Sequence, residues 1–66
     1  MSVQLYSLQP DTEWQGWRLQ QFGSETESYF PSKEEALRLL PETVEHGGAV
    51  SVRDSDGHIE ATIIIR

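Results

Sequence analysis

The tightest group of possible ligands in this chain is Asp54-Ser55-Asp56-Gly57, with His58 and Glu60 just beyond it. Aspartates alternating ahead of a glycine are what a calcium loop uses. Such a loop needs side-chain oxygens at positions 1, 3 and 5, glycine at 6 and a bidentate glutamate at 12. With Gly57 at position 6, position 1 is Val52 and position 12 is Ile63, and neither offers an oxygen. Asp-Gly between two β-branched runs is instead a strong hairpin signal, because glycine accepts the positive φ that tight primed turns require. The stretch is expected to be a turn.

Other chemistry is thinly supplied. There are two histidines, His46 and His58, and no cysteine, so thiolate metal sites and disulfides are excluded together. His46 is placed to complement the dipole at the end of a helix. The two histidines with Asp54, Asp56 or Glu60 could in principle hold a metal, but they follow no recognised ligand spacing. Ser51 and Ser55 have no evident base, and Gly47-Gly48 carries no phosphate-loop pattern. No catalytic residue, metal ligand or cofactor is expected, and the chain reads as a non-enzyme.

Eleven acidic residues face five basic ones, a formal charge of −6. An acidic surface repels phosphates, which disfavours general binding to nucleic acid or anionic membrane. The acids are scattered, as on a solvated surface, and form neither an acidic tail nor the dense stripe of a DNA mimic. With no signal-like segment and no apolar run near 18 residues, a single soluble, cytoplasmic domain over residues 1–66 is expected.

The elements that would position these residues follow from pattern. Strands are expected over residues 3–8, 17–22 and 26–30, with a turn at Gln9-Pro10-Asp11-Thr12. Ser32-x-x-Glu35 is a capping box, Glu34 and Glu35 suit a helix N-terminus, and Ala36, Leu37, Leu40 and Val44 form one apolar stripe. A helix over roughly residues 33–46, kinked at Pro41 and closed by Gly47-Gly48, is expected. Two more strands flank the Asp-Gly turn. The order β-β-β-α-β-β predicts an α+β fold, a largely antiparallel sheet with one helix on one face.

Trp17-x-Leu19, Phe30-x-Ser32-Lys33-x-Glu35-Ala36, Val50-x-Val52 and Asp56-Gly57-x-Ile59 resemble a small prokaryotic domain family of uncharacterised function. Its pattern is a Trp-x-Val strand, a Phe-x-Ser/Thr-Lys-x-Glu-Ala helix start and an Asp-Gly-x-Ile hairpin. The likeness spans residues 14–60 and departs at Pro41 and at the extra strand before Trp14. It implies a ββαββ core and a bacterial origin, and carries over no catalytic residue.

Alternation of side chains along strands then sorts the faces. If Val50 and Val52 face the helix, so do Trp17, Leu19, Ile59, Ala61, Ile63 and Ile65. The opposite face receives Tyr6, Leu8, Arg18, Gln20, Phe22, Arg53, Thr62 and Ile64. Ile63-Ile64-Ile65 puts apolar side chains on both faces, which suits a strand covered on both sides. The expected function is therefore a non-catalytic protein-interaction module, possibly homodimeric, whose face carries Tyr6, Arg18, Phe22, Arg53 and Ile64. The alternative is a nucleic-acid-related role, as a weak single-strand binder stacking bases on this face or as an acidic DNA mimic.

Overall fold

The computed structural model describes residues 4–13, 15–44 and 47–66. Five strands and one helix follow in the expected order: β1 (Leu5–Asp11), β2 (Gly16–Gln21), β3 (Glu27–Phe30), α1 (Lys33–Thr43), β4 (Ala49–Arg53) and β5 (Ile59–Ile64). The sheet runs β3-β2-β1-β4-β5. β1 is therefore central, antiparallel to β2 and parallel to β4, while β2–β3 and β4–β5 are antiparallel hairpins. The parallel pair follows from the helix. A chain leaving β3 at one edge must cross β2 and β1 to start β4, and such a crossover needs a dozen or more residues, here carried by α1.

Leu8 shows how the core closes. It is fully buried, opposite Leu19 of β2 on one side and Val52 of β4 on the other. Paired residues on a ladder share a face, so Tyr6, Leu8, Leu19, Val50 and Val52 form one apolar surface. Ala36, Leu40 and Val44 of the helix stripe are buried with it, and Leu37 packs beside them. α1 rests on β2 and β3. The Trp17 ring, half-buried on this side, lies 5.7 Å beneath Lys33 Nζ.

β1 runs three residues further than expected, and the turn falls after Asp11 rather than at Pro10. Pro10 is tolerated because β4 pairs only as far as Leu8, so its missing N–H is not needed by that neighbour. Ser32 caps α1, its hydroxyl accepting from the Glu35 N–H at 3.2 Å, while the Glu35 carboxylate turns to Arg38 one turn on. The helix continues through Pro41 for two residues and stops at an extended Val44, whose N–H donates to the Leu40 carbonyl. It thus ends before Gly47-Gly48, which do not cap it. The His46 expectation lies outside the described residues.

Substitution of Ser32 by alanine is expected to lower stability by about 1 kcal/mol, since an N-terminal N–H loses its acceptor. In a domain of this size that is several degrees of melting temperature. Ser32→Asp should restore most of the loss, as read by thermal circular dichroism.

Candidate functional site: the open face of the sheet

One helix covers one side of a five-stranded sheet, and among the described residues no element covers the other. The ladder registers lay it out in three rows. Phe22, one step beyond β2 and bonded through its N–H to the Leu5 carbonyl, starts an apolar row that continues through Leu5, Ala49 and Ile64. Glu27, Gln20, Ser7, Ser51 and Thr62 make a polar row whose acid lies at the β3 edge. Tyr29, Arg18, Gln9 and Arg53 make the third, ending on Ile59.

Among the described residues, the large apolar side chains left exposed are Leu5, Phe22, Tyr29, Ile59 and Ile64, each 49–59% accessible. All five belong to this face. Scattered exposed aliphatics need no explanation, but their confinement to one surface does.

Of the expected face residues, the structure brings Arg18, Phe22, Arg53 and Ile64 onto one surface and removes Tyr6. Tyr6 is 6% exposed, opposite Val50 and under the helix side, and Leu8 goes with it. The cause is the phase of β1. Leu5, Tyr6 and Leu8 are apolar at both parities, and only Ser7 and Gln9 signal that the odd positions turn outward. Leu5 and Tyr29 were missed for the same reason, each adjoining an apolar residue of the opposite parity, Tyr6 and Phe30.

Ile59 reaches the face by a different route. It was expected under the helix with Ala61 and Ile63, but a register shift at Val52/Arg53 pairs Val52 with Ala61 and Arg53 with Ile59. The extra residue, Glu60, is left out of the pairing, and this bulge reverses the alternation. Glu60 instead meets Lys33 Nζ at 2.7 Å, tying the helix start to β5. Both partners are exposed, so the pair is worth less than about 1 kcal/mol.

Two interactions stiffen the polar end of the face. The Tyr29 hydroxyl donates to Glu27 Oε2 at 2.6 Å, and that bond holds the phenol above its usual range. Arg53 Nη1 donates to the Gly57 carbonyl at 2.9 Å. Arg18 lies between Gln9 and Tyr29, with its Nε shielded from solvent and without a hydrogen-bond partner among the described residues.

The Asp54–His58 segment is the hairpin turn, three residues long rather than two, with Gly57 at φ +86°. Asp54 Oδ1 accepts from the Asp56 and His58 N–H groups, both at 2.9 Å. Ligand atoms of Asp54, Asp56 and His58 come within 4.8 Å of one another. That closeness is the turn's own geometry, since Asp54 is already engaged by the backbone. On the opposite side of the sheet, Tyr6, Leu19, Gln21, Thr26, Ser28 and Thr43 line an open depression of about 130 Å³. Small-molecule sites usually occupy ~300 Å³ or more.

No family model, curated protein or solved structure matches the chain. Among the described residues, no helix is long and apolar enough to cross a membrane.

The His58 N–H, and after it the Asp56 N–H, hold the Asp54 carboxyl below its usual range. A carboxyl with a lowered folded-state pKa adds stability that is fully present above its unfolded value of about 3.9, and that is lost as pH falls through the folded value. Acidification below about pH 4 should therefore move the Asp56 and His58 amide resonances together. In Asp54→Ala that shared acid step should vanish, and the melting temperature at neutral pH should already be lower.

Proposed function

We propose that the domain is a non-catalytic protein-interaction module that docks through the open face of its sheet. The observation that carries this reading is the gathering of Leu5, Phe22, Tyr29, Ile59 and Ile64 on the side the helix leaves bare. Exposed apolar side chains gathered on one face of a small domain mark a place where something else excludes water. The mixture is that of a docking patch: aromatics and arginines with a polar row between them, the arginines balanced by Asp11 and Glu27. By contrast Glu34, Glu35 and Glu42 are on α1, and Asp54 and Asp56 are in the hairpin, where they keep the remaining surface hydrated.

One observation favours a second reading. Phe22, Tyr29, Arg18 and Arg53 share a sheet surface, as in platforms that stack single-stranded bases. A net charge of −6 opposes it, because the phosphate backbone supplies most of such affinity. Labelled oligonucleotides should accordingly show no binding at about 0.15 M salt. Salt-sensitive binding, lost in Arg18→Ala, would replace the protein-docking reading.

The docking reading itself is tested by placing a photo-crosslinking amino acid at Phe22 in living cells. A discrete protein adduct is expected, absent when the same probe sits at Ser55 in the hairpin and abolished by Ile64→Lys. Ile64→Lys should leave the circular dichroism spectrum unchanged, since its side chain points away from the core. No adduct at Phe22 would remove this face as a docking surface.

A further inference from the structure

Resting on that reading, we infer that the occupant of the open face is a second copy of the same chain, laid sheet against sheet about a two-fold axis. The axis runs parallel to the strands, between β1 and β4. A rotation about such an axis carries each row onto the same row of the other copy and exchanges β2 with β5 and β1 with β4. Phe22 then lies on Ile64 of the second copy, and Leu5 lies on Ala49. The polar row meets itself through its uncharged members, with Gln20 over Thr62 and Ser7 over Ser51, while Glu27 on β3 lies beyond the edge of the second copy. In the third row the stem of Arg18 lies over Ile59, and Gln9 reaches Arg53. No arginine faces an arginine, and no acid faces an acid. A two-fold interface demands such self-complementarity of one patch.

Charge points to the same occupant. The ladder registers put Arg18 and Arg53 on this face against Asp11 and Glu27, a balance of zero on a chain of −6. It is the surface on which two acidic copies approach with least repulsion. Contact through the helix side would instead bring Glu34, Glu35 and Glu42 of both copies together.

The area suits a weak, reversible dimer. The four overlapping strands, spaced ~4.8 Å apart and about six residues long, present a footprint of roughly 380–400 Å². Two corrugated faces of that size bury about 800–1,000 Å² together, the range of a weak or transient interface. Stacked sheets keep their strands within about 30° of one another, which the parallel axis allows.

The absence of cysteine allows a clean test. Phe22→Cys and Ile64→Cys proteins, mixed under mild oxidation, should form the mixed disulfide at least tenfold faster than either variant dimerises alone. Sedimentation of the wild-type domain from about 1 µM to 1 mM should show conversion to twice the monomer mass, with Ile64→Lys remaining monomeric. Amide exchange separates this arrangement from pairing through the open edge of β5. Ile65 bonds toward the Gly47–Gly48 segment, so by alternation the Thr62 and Ile64 N–H groups point to that edge. They should exchange equally fast in monomer and dimer, and protection on dimerisation would overturn the face-to-face assembly. A strict monomer up to 1 mM would overturn the second copy as occupant. In that case a Phe22 photo-adduct with another protein would keep the docking reading, and its absence would remove both.

Discussion

A five-stranded sheet has two faces, and this chain has one helix to cover them. Most of the molecule follows from that imbalance. α1 must bridge from the edge strand β3 to the interior strand β4, so it crosses the sheet over β2 and β3 and buries Leu8, Leu19, Val50 and Val52 beneath it. What it spends on one side it cannot supply on the other. A domain near 60 residues buries only about 60% of its unfolded surface, and here the shortfall is concentrated on one plane rather than spread around the molecule.

β1 is the strand on which that division turns. It is the central strand, antiparallel to β2 and parallel to β4, and its even and odd positions separate the two sides. Tyr6 and Leu8 meet β2 and β4 core residues; Leu5, Ser7 and Gln9 meet the open face. A slip of one residue would exchange these sets and expose Leu8 while burying Gln9. Ser7, almost fully buried on the open side, shows how closely its neighbours already pack around the sheet's midline.

Local signals were legible where one residue does one job. Ser32 caps, Gly57 takes the left-handed turn, and Leu40 sits one helical turn beyond Ala36, so the helix start, the hairpin and the core stripe were readable from sequence. What was not legible depended on pairing between distant strands. Nothing within Leu5-Tyr6-Ser7-Leu8 decides its phase, because its apolar residues occupy both parities; the decision comes from Leu19 and Val52 on either side. Likewise Ile59-Glu60-Ala61 contains no mark of a bulge, and only the shifted register on β4 reveals why Ile59 turns outward. The candidate face was thus found from β2, β4 and the end of β5, where alternation is clean, and misassigned on β1 and at the bulged start of β5, where it is not.

The bulge also explains how β5 serves both sides of the sheet. Without it, Ile59 would follow Ala61 and Ile63 onto the helix side, beyond the strands on which α1 rests, and Glu60 would point into the open face. That would set an acid among Arg18, Arg53 and Tyr29 and strand an isoleucine where nothing covers it. Inserting one residue moves the isoleucine to the apolar surface and the glutamate to Lys33. Ile64 needs no such correction because it already pairs with Ala49 in an unshifted part of the ladder. The open face therefore carries an apolar residue at each end of β5 and no charge between them. That is the composition expected of a strand whose bare side is meant to be covered, and it arises from a single register shift.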